Sequence, residues 1–130
     1  MRILLAVVVV VLVVAGCNGG VVDQHALTND AATVDSINCE AWLLSDAAAR
    51  GRATRQFVGE QAEELGIQAA NLADALARRP TAARLEPRVR KKAEGAATLA
   101  LRLRRLQARP TDRTLAMELA GEFRRAGKCT

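Results

Sequence analysis

Aromatic residues are nearly absent from this chain, and histidine and proline are scarce. Its 130 residues include one tryptophan, two phenylalanines, no tyrosine, one histidine and three prolines. The core must therefore be built from Leu, Val, Ile and Ala. Nucleic acid is not an expected partner, because bases would find almost no aromatic side chains to stack on. The few prolines and the scattered β-branched residues beyond the N-terminal segment favour an all-α fold, and the length allows one small domain.

The chain also lacks the residue combinations that catalysis and metal binding need. No nucleophile, base and orienting group can be assembled from it, and no common nucleotide-binding or hydrolase motif occurs. One histidine, His25, and three cysteines do not make the tetrahedral ligand set of zinc. The carboxylates of Glu60, Glu63 and Glu64 lack the histidine that a di-iron motif requires, so we interpret them as a solvated face. We therefore expect no enzymatic activity, no metal and no other cofactor.

The N-terminal segment has the features of a secretory leader. Arg2 precedes an unbroken apolar run over positions 3–14, and small residues follow. At about 1.5 Å per residue this run spans roughly 18 Å, which is shorter than the ~30 Å hydrocarbon core of a bilayer. The order Val14-Ala15-Gly16-Cys17 resembles the lipobox of bacterial lipoprotein precursors. An ordinary signal peptide cut nearby and an uncleaved anchor are the alternatives.

The resemblance extends no further than Cys17, but it implies where the protein resides. It implies a removed signal peptide at 1–16 and a diacylglyceryl group on Cys17, which becomes the new N-terminus. The lipid would hold the protein on the membrane, its first partner, at the extracytoplasmic face. We interpret the polar positions 17–33 as a flexible tether and 34–130 as the folded domain.

The number of cysteines predicts a disulfide. An odd number of cysteines is awkward in an oxidising compartment, but a lipid on Cys17 leaves Cys39 and Cys129 as one pair. A bridge between them would close a loop of about 90 residues, for which chain entropy gives roughly 4–5 kcal/mol of stability. Two unpaired, buried thiols are the alternative.

From position 35 onward, apolar residues recur with the alternating spacing of three and four that is typical of amphipathic helices. We predict helices over about 35–49, 54–79, 87–109 and 111–127, and a left-handed cap at the end of the last. The predicted boundaries rest on potential caps and helix breakers, which are Thr54, Pro80, Pro87, Pro110, Thr111 and Gly127.

Four helices with short connections predict an antiparallel bundle. In an up-down-up-down topology the start of the first helix and the end of the fourth lie at the same end, so Cys39 and Cys129 can meet there. The alternative is one long helix over 35–79 in a hairpin folded about residue 84, which also pairs these cysteines. We favour four helices because Gly51 and Arg55 would interrupt the apolar stripe of a continuous helix.

Positive charge is concentrated between 78 and 109, where eleven basic residues stand against two acids in a chain of net charge +5. A solvated helix face is one interpretation of this region. The other is a binding site for an anionic partner such as lipid headgroups. The candidate residues, which lie near one line on the third helix, are Arg88, Lys91, Arg102, Arg105 and Arg109.

Two functional hypotheses follow from these features. The first is a lipid-anchored envelope protein with a non-catalytic interaction or structural role and an unknown envelope partner. The second is a module that binds an anionic surface or ligand through the basic 78–109 region. Steep sensitivity of binding to salt would distinguish the second from the first.

Overall fold

The computed structural model describes residues 21–130, so the predicted lipobox and its cysteine, Cys17, lie outside the described residues. The described chain is all-α, as predicted, and contains no named strand. A short 3-10 turn at Ala83–Leu85 precedes the third helix. The four helices are α1 (Gln24–Ala49), α2 (Arg55–Arg78), α3 (Glu86–Ala108) and α4 (Arg113–Gly127).

Local capping signals explain the boundaries of α2 and α4. Gly51 adopts a positive φ of 69° and separates α1 from α2, so the four-helix prediction is confirmed and the long-hairpin alternative is wrong. Thr54 caps α2, its side chain accepting a hydrogen bond from the backbone N–H of Phe57 at 3.2 Å. At α4 the cap is Asp112 rather than Thr111, because the Asp112 carboxylate accepts from the N–H of Leu115 at 2.9 Å.

Helix α1 begins far earlier than the sequence indicated. The Asp23 carboxylate accepts from the N–H of Ala26 at 2.8 Å and caps the helix. Just before it, the N–H of Val22 donates to the carbonyl of Pro80 at 2.8 Å, and the side chains of Val22 and Leu27 are buried. The prediction of a flexible tether over 17–33 is therefore wrong for 24–33, which are helical because they pack on residues distant in sequence.

The helices form an antiparallel bundle of two closely packed pairs. The most extensive interfaces are those of α2 with α3 and of α1 with α4. At about 1.5 Å per residue, the 26 residues of α1 extend roughly 39 Å, whereas the 15 residues of α4 extend roughly 22 Å. The first half of α1 therefore runs beyond α4 and packs on the end of the α2–α3 pair.

Two hydrophobic clusters fill the bundle. The larger one contains residues of all four helices, among them the fully buried Phe123 and Leu103. The smaller one closes the end of the bundle at which α2 passes into α3, and we call this end the Val22 end. Its buried members are Val22, Leu27, Leu76, Leu85 and Val89.

The predicted disulfide is present and joins Cys39 to Cys129, with their Cα atoms 5.5 Å apart. Because α1 starts at Gln24, the bridge is attached to the middle of α1, which corrects the expectation that Cys39 lies at the start of the first helix. It fastens the C-terminal end of α4 to α1.

Gly127 lies at this junction for a reason other than the predicted one. The left-handed residue is Lys128, with φ 52°, whereas Gly127 is the last residue of α4. A Cβ atom on Gly127 would lie 2.8 Å from the Cβ of Asn38 and 2.9 Å from the sulfur of Cys39. The prediction of a left-handed glycine is therefore wrong, and the glycine instead permits close approach of α4 to α1.

Candidate functional site

The five predicted anion-binding residues lie along α3 and divide into two groups. In the half of α3 away from the Val22 end, Arg102 forms an ion pair with Glu122 at 2.8 Å and Arg105 lies 3.9 Å from Glu118. Arg109 pairs with Asp112 at 3.6 Å. Because α4 or its cap supplies all three carboxylates, this half of the predicted site is balanced by acids within the chain.

The other group, Arg88 and Lys91, lies at the Val22 end, and acids within the described residues do not neutralise its charge. Arg88 donates to the side-chain oxygen of Gln24 at 3.0 Å, a neutral partner. No salt bridge involves Arg88 or Lys91 within residues 21–130. The same is true of three neighbouring cations, and we call the five together the 84–92 cluster. Its members are Arg84, Arg88, Arg90, Lys91 and Lys92.

Part of the 84–92 cluster borders a shallow groove between α1 and α3. The groove has a volume of about 560 Å³, with Arg88, Lys91 and Lys92 on its α3 side. Leu27 and small residues of α1 form the opposite wall, and Asp35 is its one acid. An anionic group above this groove would meet three cations on the α3 side and one acid, Asp35, on the α1 side.

A larger groove, which the sequence pattern did not indicate, runs between α2 and α3. Its volume is about 920 Å³, and none of its lining residues belongs to α1 or α4, so those helices leave it uncovered. Leu101, which is 59% exposed, lies on its α3 side. Alanines line most of the floor, and we call this surface the alanine groove. They are Ala70, Ala73 and Ala77 of α2 and Ala93, Ala97 and Ala100 of α3.

Charged residues of both signs border the alanine groove. Asp74 and Arg79 lie on the α2 side, and Glu63 of α2 borders the continuation of the groove beyond Ala70. The charged residues on the α3 side are Glu86, Arg90, Glu94 and Arg104. The alanine spacings of three and four on both helices were visible in the sequence, but only the pairing of α2 with α3 aligns them.

The described residues contain no cluster of metal-ligating side chains. Across 21–130, no three His, Cys, Asp or Glu side chains are grouped as metal ligands would be. The lone histidine, His25, is exposed on α1 beside the amide of Asn29 at 3.3 Å. Over the same residues, no helix combines the length and hydrophobicity that crossing a membrane requires.

Comparison with family models, with curated proteins and with solved structures gives no match to this chain.

Proposed function

We propose that this protein is a lipid-anchored envelope lipoprotein whose bundle is a non-catalytic interaction module. The lipobox Val14-Ala15-Gly16-Cys17 supports the location, since it has the small residues and the cysteine of a lipoprotein processing site. The disulfide between Cys39 and Cys129 is consistent with an oxidising, extracytoplasmic compartment.

The observation that carries the interaction role is the alanine groove. Small side chains on two adjacent helices allow the backbone of a third helix to approach closely, as helices do within a bundle. Leu101 and Ile67, which are 59% and 50% exposed, flank the alanines and would be covered by such a helix. We therefore propose that the groove receives an amphipathic helix of an envelope partner.

The charges that border the groove bear on the chemistry of that helix. Asp74 lies on the α2 side, and the α3 side carries both acids, Glu86 and Glu94, and arginines, Arg90 and Arg104. A complementary helix would carry charged residues of both signs at its margins, with small or medium apolar residues between them.

Lipidation is tested by intact mass of the protein isolated from membranes. We expect a diacylglyceryl adduct on Cys17 and its complete loss in Cys17→Ser, together with release of the protein from the membrane fraction. Retention of the lipid in that variant would contradict the proposed anchor.

The groove is tested by a photo-crosslinking amino acid placed at one of two matched leucines. Leu101 lies in the groove and Leu43 lies on α1, and their exposures are 59% and 60%. In cells, we expect a discrete adduct from position 101 and none from position 43. Ala97→Phe should abolish the adduct because it fills the groove, whereas the adjacent Thr98→Phe should preserve it.

Three outcomes would contradict the proposed partner helix. The first is an absence of adduct from position 101, and the second is the same adduct from both positions. The third is an adduct of twice the mass of the chain, which would identify the occupant as a second copy.

A further inference from the structure

The short length of chain between Cys17 and Val22 keeps the Val22 end of the bundle close to the proposed lipid anchor. The hydrogen bond from Val22 to Pro80 fixes the chain onto the connection between α2 and α3. Only positions 18–21 separate Val22 from Cys17, so the two residues are at most about 18 Å apart. The tether predicted from sequence would have allowed a reach of about 50 Å, and any end of the bundle could then have met the membrane.

The 84–92 cluster lies at that same end. Arg84 precedes α3 and the other four cations lie in its first two turns, next to Leu85 and Val89 of the smaller hydrophobic cluster. Glu86 is the only acid between 84 and 92. Two further arginines nearby do not add free charge, because Arg78 pairs with Asp74 at 3.1 Å and Arg79 with Asp30 at 3.4 Å.

We propose that the 84–92 cluster docks the Val22 end on anionic lipid headgroups. This inference rests on the proposed lipid anchor, which would hold Val22 within about 18 Å of the bilayer surface, roughly two Debye lengths. Arg88, Lys91 and Lys92 border the groove against α1, whereas Arg90 borders the alanine groove on the other side of α3. Cations spread over an end of the bundle in this way suit many headgroups on a surface better than one bound anion. Attraction to an anionic surface grows with each basic residue that lies near it.

The test uses the mature-length chain, residues 17–130, with Cys17→Ser so that the lipid does not dominate binding. We expect sedimentation with vesicles of phosphatidylcholine containing phosphatidylglycerol at low salt, release at higher salt, and no sedimentation with phosphatidylcholine alone. Replacing Arg84, Arg88 and Lys91 together by Gln should weaken binding about a hundredfold.

A matched control removes the same charge elsewhere. Arg52, Arg55 and Arg113 are exposed, have no salt bridge within 21–130, and lie away from the Val22 end. Their joint replacement by Gln should weaken vesicle binding less than threefold. Circular dichroism and non-reducing electrophoresis check that both triple variants keep the helical fold and the disulfide.

Several outcomes would overturn the proposed surface: equal loss in both triple variants, binding to phosphatidylcholine alone, or binding to a soluble acidic polymer without binding to the anionic vesicles. The anchor is judged separately, by the mass of the native protein. An unmodified Cys17 with intact vesicle binding would refute the anchor alone, and a lipidated Cys17 without vesicle binding would refute the docking surface alone.

Discussion

The close approach of α4 to α1 predicts that Gly127→Ala destabilises the bundle. The new methyl group would lie 2.8 Å from the Cβ of Asn38 and 2.9 Å from each sulfur of the disulfide. The Asn38 Cβ atom is fixed to the α1 backbone, so the helices must separate by several tenths of an ångström. Overpacking of this kind costs about 1–3 kcal/mol, which the higher helix propensity of alanine offsets in part. We expect a net loss of about 1–2 kcal/mol.

Two other glycines serve as matched controls for the same chemical change. A Cβ atom on Gly59 or Gly95 meets nothing within 4 Å, and both residues are interior to helices. Gly59→Ala and Gly95→Ala should each stabilise the protein by about 0.5–1 kcal/mol, because alanine costs less backbone entropy in a helix. The sign of the change in the free energy of unfolding therefore distinguishes tertiary contact, expected at Gly127, from helix propensity, expected at Gly59 and Gly95.

Thermal unfolding followed by circular dichroism measures the difference. For a domain of this size, about 1 kcal/mol corresponds to a shift of roughly 4 °C in Tm. Gly127→Ala should melt several degrees below the parent protein and the two controls slightly above it. If Gly127→Ala melted at or above the parent Tm, α4 would not approach α1 as closely as described, and the reasoning would fail.

Two further predictions concern the same junction. Replacing Cys39 and Cys129 by Ser should lower the free energy of unfolding in urea by about 4–5 kcal/mol, since the bridge spans 90 residues; an unchanged urea midpoint would contradict this. Lys128→Gly should raise the same free energy by up to about 1 kcal/mol, because Lys128 holds a left-handed conformation at φ 52°; Lys128→Ala is its control and should give no gain.

The sequence predicted those parts of the fold that local chemistry determines. The break at Gly51 and the cap at Thr54 are short-range signals, and both are confirmed. The pairing of Cys39 with Cys129 followed from counting cysteines and is also confirmed. In each case the deciding information lay within a few residues or in the composition.

The errors arose where distant contacts decide the structure. The first turns of α1 are largely polar and carry few apolar residues, and they are helical because Val22 and Leu27 are buried against the ends of α2 and α3. The arginines of α3 formed a line in the sequence, but their periodicity could not reveal that Glu118 and Glu122 of α4 face two of them. The residue pattern of one helix does not reveal which side chains of neighbouring helices pack against it.

The disulfide divides the described chain into a covalently closed ring, 39–129, and an open N-terminal arm, 21–38. A mechanical load applied at the proposed membrane anchor would reach the arm first, and only non-covalent contacts such as the Val22–Pro80 hydrogen bond hold the arm to the ring. Unfolding of the arm would stop at Cys39, where the disulfide bond carries the load. By that point the arm would have lengthened from roughly 25 Å as helix to about 55–60 Å as extended chain. It would then act as an extensible connection to a domain that stays folded.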